Sequence, residues 1–369
     1  MRIHNLKLIN FRNFKNIEFD FDEGVNLITA QNGMGKTNIL ESIRILSYGK
    51  PLFSNKEAEV INFEVLKSSL PFTKIIMKWN NEEDHSSTYT LSPNIKPVKS
   101  LVIDDQKKIQ KHFVGKFSTV WFSPETINVI TASPRHRREL LNAYFCQISY
   151  EYSVALSDYQ KALEARNRLL KNADRNGINF YIKRYDEVLI KYGVELINVK
   201  KALCEKFSAF VSNASEKQSR YKVIWKFEPD VELSDIFDQN IALAFRECLK
   251  ANLEKDIRSK RTGVGPHKDN WTLLLTDLVN KSEAYDLRFF GSRGQKRMGL
   301  LIFTLAVVAM IEVEKGSKPV LLLDDVVSEL DEENVDLIID MLLEKGQQSI
   351  ITSTHDKIDG LNKVKVVYL

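Results

Sequence analysis

The sequence predicts an α/β protein whose mainly parallel sheet is assembled from both ends of the chain and interrupted by a helical insertion. Three observations carry this. A short apolar strand at 25–29 runs through a glycine turn into a helix, and from Ser133 to about residue 214 the apolar spacing is almost wholly helical. Over the last hundred residues strands and helices alternate, as they do where crossover helices join parallel strands. A chain of 369 residues is long enough for two domains. Changes of character place the halves of one unit at 1–130 and 216–369, with a helical lobe at 131–215 nested between them and 260 as an alternative end of that lobe.

The elements follow in order. Ile3, Leu6, Leu8 and Phe11, then Ile17, Phe19 and Phe21, have the near-alternation of half-buried strands, and Glu23-Gly24 turns the chain into strand 25–29. From Asn38 the period changes, and Ile39, Leu40, Ile43 and Leu46 share one helical face. Residues 60–122 are β-rich, with strands at 74–79 and 87–91. Ser133-Pro134 supplies an N-cap and a proline at the first helical position. Helical spacing then continues to Leu170 with a break near Ile148-Ser149, a loop falls at 174–177, and a second helical arm runs from 178 to 214. Arms of about 40 residues span ~60 Å. Strand 221–227, helix 238–259, strand 271–276, a helix from about 293, strand 319–324, helix 332–345 and strands 348–353 and 363–369 complete the chain.

Composition excludes more than it identifies. Hydrophobic residues at 43% and charged ones at 28% rule out disordered and low-complexity classes, and a net charge of +4 is too small to name a partner. Cys146, Cys204 and Cys248 lie far apart with no C-x-x-C pair, which argues against a zinc site or disulfide framework and suits a reducing cytoplasm. Arg2, His4, Lys7 and Arg12 interrupt the first residues, so no signal-peptide core is present. The longest apolar run, 300–311, falls short of the roughly 20 residues a bilayer span needs. A soluble, cytoplasmic protein without a membrane role is expected. Glycine is scarce, 15 residues, yet seven of these cluster as Gly33 and Gly35, Gly263 and Gly265, and Gly291, Gly294 and Gly299. Clustering of that kind marks close backbone approach.

The first cluster lies in Ala30-Gln31-Asn32-Gly33-Met34-Gly35-Lys36-Thr37, the G-x-x-x-x-G-K-[ST] phosphate loop with Ala in the first position, in its strand–loop–helix context. Backbone N–H groups there turn toward phosphate, Lys36 adds a point charge, and the Thr37 hydroxyl is placed to ligate Mg²⁺. The helix from Asn38 aims its positive end at the same place. Asn32 either reaches a γ-phosphate or only forms the turn. Far downstream, strand 319–324 ends in Asp324, placed for Mg²⁺, and Asp325, placed to orient or deprotonate an attacking water. Ser328-Glu329-Leu330-Asp331 follows, and the next strand leads to His355. Gly291-Ser292-Arg293-Gly294-Gln295, before a helix, is a second anion-binding terminus. Two such termini in one chain point to sharing across a dimer.

This set resembles the ABC-type ATPase heads of the structural-maintenance and recombination-repair branch. More closely, the chain resembles the RecF family of recombination mediators. The resemblance is carried by Leu8-Ile9-Asn10-Phe11-Arg12-Asn13-Phe14, Trp121-Phe122-Ser123-Pro124-Glu125, Ser133-Pro134-x-x-Arg137-Arg138, Arg261-x-x-x-Gly265-Pro266-His267-Lys268-Asp269 and Leu323-Asp324-Asp325-Val326. The insert of about 80 residues, without hook cysteines, separates it from structural-maintenance proteins with their long coiled coils. The resemblance implies a head with a mixed sheet, flanking helices and an antiparallel β subdomain. It implies an ATP- and Mg²⁺-dependent homodimer that binds single-stranded, gapped and junction DNA without sequence preference, and that acts with RecR and RecO to load RecA and support SOS induction. By that resemblance Ser292 and Gly294, with Gln295, cap the γ-phosphate bound to the partner copy. Asp331 lies at the dimer interface, His355 senses the γ-phosphate, and Glu125 stands where related heads carry a glutamine near Mg²⁺ and water. Asp325 is one methylene shorter than the family's usual glutamate, which fits slow hydrolysis used as a timer.

Other basic residues have two readings each. Arg12 either approaches the nucleotide phosphates or is a surface arginine beside core aromatics. Arg135, Arg137 and Arg138 crowd a helix first turn against its dipole, which calls for an acidic partner, DNA phosphate or a carboxylate such as Glu139. Lys183, Arg184, Lys191, Lys200 and Lys201 read as a solvated face. The 261–269 segment is either a turn into the following strand or a DNA or dimer contact. A different use of the same head, as a transporter subunit or nuclease-partnered ATPase, is the alternative; the helical insert and the short tail after His355 argue against it.

Overall fold

The computed structural model describes residues 1–52, 57–93, 98–172, 175–216, 220–231, 238–279, 283–325, 346–354 and 364–369, apart from the side chains of 124, 125, 127, 175–180 and 238–240. Strand β1 (Arg2–Phe11) turns at Arg12-Asn13 into β2 (Phe14–Asp20), with Phe11 opposite Phe14. Its buried residues are not strictly alternate because the register slips between Ile3 and Asn5 and Asn10 takes φ +52. Next come β3 (Val25–Thr29), α1 (Lys36–Tyr48) and α2 (Phe63–Leu66). Strands β4 (Thr73–Asn81), β5 (Glu83–Ser92), β6 (Val98–Ile103) and β7 (Gln106–Lys108) extend the first hairpin into a six-stranded antiparallel sheet, order β2-β1-β4-β5-β6-β7.

After α3 (Gln110–Phe113), β8 (Thr119–Phe122) and α4 (Pro124–Val129) come the helices of the insertion: α5 (Pro134–Ile148), α6 (Tyr150–Asn172) and α7 (Arg175–Glu216). β9 (Tyr221–Glu228), α8 (Asp238–Ser259), β10 (Asn270–Asp277), β11 (Tyr285–Asp286) and α9 (Leu287–Phe290) lead into the long α10 (Arg293–Lys315). β9, β10 and β11 make a small antiparallel sheet. β12 (Val320–Asp324), β13 (Ser349–Ser353) and β14 (Val364–Tyr368) join β3 and β8 in a five-stranded sheet, order β14-β3-β13-β12-β8, parallel throughout. Strands from both ends of the chain therefore share one sheet, as the sequence predicts.

That sheet is buried on both faces: every residue of β3, β12 and β13 is buried, and β12 reads as a continuous apolar run. Ile28, Trp121, Val320, Leu322 and Ile350 pack with α1 and the antiparallel sheet. Leu27, Val120, Phe122, Leu321, Leu323 and Ile351 pack with α10 and the helical lobe. Side-chain alternation along the strands thus places α1 and α10 on opposite faces.

The insertion differs from two equal arms. Its first arm breaks at Ser149, whose Oγ accepts the Tyr152 N–H at 3.1 Å as an N-cap. The arm that pairs with the 42-residue α7 is therefore the 23-residue α6, while α5 packs back on α10 and β10. Among the described residues no helix is long and apolar enough to cross a membrane.

The 261–269 segment is fastened to the lobe by buried polar contacts. Arg166, fully buried, donates from Nε to Asp186 at 2.7 Å and from Nη1 to Asp256 at 2.6 Å and Thr262 at 2.9 Å. Lys200, expected on a solvated face, is buried and donates to Asp269 at 2.7 Å and the Pro266 carbonyl at 2.9 Å. Gly265 has φ +127, and a methyl group there would lie 2.7 Å from the Tyr159 hydroxyl and 2.9 Å from Phe245, so only glycine fits. This accounts for Gly265 of the second glycine cluster and makes the segment an internal anchor.

His267 sits in this anchor with Nδ1 2.7 Å from the Tyr159 hydroxyl and Nε2 3.2 Å from the Thr262 carbonyl, contacts that suit a neutral ring with its proton on Nε2. Burial lowers its pKa from 6.5 to about 4. Between those values the unfolded chain binds a proton that the folded chain refuses, so stability is full above pH 6.5 and falls as pH drops toward 4. On lowering pH from 7.5 to 5, wild-type chain is expected to lose about 2 kcal/mol more than a His267→Gln variant, measured by urea unfolding.

Candidate nucleotide and metal site

The loop leaves β3 at Thr29 and reaches α1 through Gly33 (φ +85) and Gly35 (φ +105). Gly35 is the N-cap and brings no side chain to bond the first-turn N–H groups, so those donors face an open loop in the manner of phosphate cradles. Ala30, in place of the pattern's glycine, has no positive φ, and its methyl group is therefore tolerated. Gln31, Asn32, Gly33 and Met34 are exposed, Asn38 is partly buried, and the Lys36 ammonium lies across the loop, donating to the carbonyls of Ala30 at 2.7 Å and Gln31 at 3.3 Å.

A clasp that the sequence did not reveal holds the loop from outside. The Asn13 amide donates to the Met34 carbonyl and accepts from Asn38 Nδ2, both at 2.8 Å. A methyl group on Gly35 would lie 2.5 Å from that amide, so the glycine also admits the clasp. The only signal was its place in the turn after Phe11-Arg12. Asn13→Ala removes two hydrogen bonds worth about 0.5–1.5 kcal/mol each. ATP affinity by calorimetry is expected to fall roughly tenfold, with a melting temperature lower by only a few degrees.

The carboxylates meet this loop across the sheet. Asp324 ends β12 in register with Thr352 of β13, and β13 pairs on its other side with β3. Thr37 Oγ donates to Asp324 Oδ1 at 3.1 Å, and Thr352 Oγ donates to the same oxygen at 2.6 Å. Asp324 is only 8% exposed, and burial pushes its carboxyl above the usual carboxylate range, with the two hydroxyl bonds working the other way. A buried carboxylate of this kind favours a cation beside it. The donors are hard oxygens, and their 3.1 Å separation is close to the ~2.9 Å edge of octahedral Mg²⁺ coordination. Thr37 and Asp324 fit Mg²⁺. Asp325 follows at φ +48, its N–H donating to Thr352 Oγ at 3.0 Å and the Thr352 carbonyl at 3.2 Å.

Comparison with known proteins bears on this geometry. The family described as RecF/RecN/SMC N terminal domain matches residues 2–368. The DNA replication and repair protein RecF of Thermoanaerobacter sp. (strain X514) is 32% identical over 96% of this chain and 94% of its own length. RecF of Clostridium acetobutylicum is 34% identical over 96% and 93%. The chain belongs to the RecF family of DNA replication and repair proteins. A solved structure of the recombination mediator RecF with ATP superposes with TM-score 0.83 at 32% identity, covering 97% of this chain and 93% of that one. An archaeal Smc head from Pyrococcus furiosus, at 17% identity and TM-score 0.51, shares the fold. The chain thus has the ABC/SMC-type ATPase head fold.

Within this RecF-family head the other expected residues distribute unevenly. Ser292 caps α10, and its capping box with Gln295 uses both side chains: Ser292 Oγ accepts the Gln295 N–H at 3.2 Å and Gln295 Oε1 accepts the Ser292 N–H at 2.9 Å. Gly294 lies in the first turn behind it. Arg12 holds Glu41 of α1 by a two-pronged ion pair at 2.8 and 2.9 Å and bonds the Glu59 carbonyl, so in this structure it braces the loop helix.

Two of the three arginines at the start of α5 turn to their own chain rather than to a partner. Arg137 is buried and bonds the carbonyls of Ile130 and Ala132 and the Asn270 side chain, while Arg138 bonds the carbonyls of Lys268 and Asp269. The partners of these two are neutral carbonyl and amide oxygens of their own chain, not an acid. Arg135 alone is well exposed, paired with Glu139 at 2.8 Å. Glu125 falls in the first turn of α4, after β8, with its side chain outside the described residues, and Asp331 and His355 lie outside them altogether.

Proposed function

We propose that this chain is an ATP-dependent DNA clamp of recombinational repair. The 30–37 loop would hold ATP, and Thr37 and Asp324 would hold Mg²⁺. The observation that carries the dimer is the placement of α1 and α10 on opposite faces of the parallel sheet. One copy's Ser292–Gln295 terminus thus belongs to the helix on the face opposite its own loop helix, which supports its serving the nucleotide on a partner. When bound, the metal neutralises charge on the phosphates. Lys36 and the loop amides orient the γ-phosphate, Asp325 orients the attacking water, and Glu125 and His355 complete the site. A carboxylate one methylene short of glutamate reaches less far and suits slow turnover. In this reading 1–130 and 216–369 form the ATPase and the helical lobe is its insert.

The solved relatives belong to a RecFOR pathway, and by likeness this chain acts in the cytoplasm with RecO and RecR at gaps and junctions to load RecA and support SOS induction. The test is titration of gapped duplex DNA. Binding that weakens with salt and strengthens with Mg-ATP is expected. No binding to any DNA at low salt would contradict the clamp and favour another use of the ATPase head.

A further inference from the structure

Thr352 is fully buried at the end of β13, beside Asp324 on β12 and Ile28 on β3. A hydroxyl has one proton and two lone pairs, and here both kinds of bond are made. The proton goes to Asp324 Oδ1 at 2.6 Å, within the short range of hydrogen bonds to a carboxylate. A lone pair takes the Asp325 N–H at 3.0 Å. Asp325 has a left-handed φ of +48, which aspartate tolerates better than most residues. This hydroxyl makes the shorter of two bonds to the first carboxylate, beside that of Thr37 at 3.1 Å, and shares with the Thr352 carbonyl the N–H of the turn that carries the second.

We propose that Thr352 is the positioning residue of this site, coupling Asp324 and Asp325 to the strand beside the phosphate loop so that metal and nucleotide meet a preset geometry. This rests on reading the site as one for ATP and Mg²⁺. Valine has nearly the same shape and neither hydrogen bond, whereas serine retains the hydroxyl.

The experiment measures ATP affinity by calorimetry on the full chain, with Mg²⁺ and in EDTA, for wild type, Thr352→Val, Thr352→Ala and Thr352→Ser. In both hydroxyl-less variants the Mg²⁺-dependent gain in affinity is expected to fall at least tenfold, the low end of losses seen when a metal ligand's supporting partner is removed. Affinity in EDTA is expected to stay within about twofold, and Thr352→Ser to keep most of the metal-dependent gain. The alanine variant answers the question if valine prevents folding. A full metal-dependent gain in either hydroxyl-less variant, or an equal loss in the serine variant, overturns the inference alone. A wild-type chain that does not bind ATP overturns the nucleotide reading beneath it.

Discussion

Replacing Arg166 by methionine is expected to destabilise the folded chain by about 3–5 kcal/mol, the usual cost of stripping one partner from a buried ion pair. Its guanidinium is the cation between Asp186 and Asp256, and the Asp256 side chain is 1% exposed. Asp256 also accepts the Gly263 N–H at 2.8 Å, so its carboxylate holds the 261–269 anchor as well. Without the arginine, the buried Asp256 carboxylate and the half-buried Asp186 lose the cation between them. Urea unfolding at pH 7.5 reads the loss directly. Burial already raises the Asp186 carboxyl, so protonation relieves the variant as pH falls, and its deficit against wild type should shrink at pH 5. Arg246, whose pairing with Glu187 is exposed, is the control; its alanine variant should lose less than about 1 kcal/mol. Equal midpoints for the two variants would refute the anchor.

Asp325→Asn is expected to lower ATP turnover by about 10²-fold or more, the scale of a lost general base. Asparagine has the same shape, keeps the N–H that Thr352 accepts, and tolerates a left-handed φ as well as aspartate does. The fold should survive and ATP affinity should change less than about threefold. Phosphate release under saturating Mg-ATP gives the turnover. A variant that hydrolyses ATP at the wild-type rate would remove Asp325 from the mechanism.

How much of this was legible in the sequence depended on the range of each interaction. The phosphate loop, the apolar strand ending in two aspartates and the proline that opens α5 are local patterns, and each falls where the spacing put it. The break at Ser149 was legible too, since it needs only a cap and a change of face. What local pattern cannot convey is which distant carbonyl or carboxylate receives a buried cation. Lys200 and Arg137 look like surface charges until Asp269 and the Ile130 carbonyl come beside them. Asn13 and Thr352 were missed for the same reason, because a neutral amide and a hydroxyl become part of a site only when strands far apart in the chain are brought side by side.

The central claim is that nucleotide held by one copy's loop is closed by the Ser292 terminus of another. Light scattering on the purified chain, with and without Mg-ATP, tests it most directly. One chain's mass is expected without nucleotide and two chains' mass with it, the dimer persisting longer in Asp325→Asn. A mass that stays at one chain with saturating Mg-ATP, in both wild type and Asp325→Asn, would contradict it.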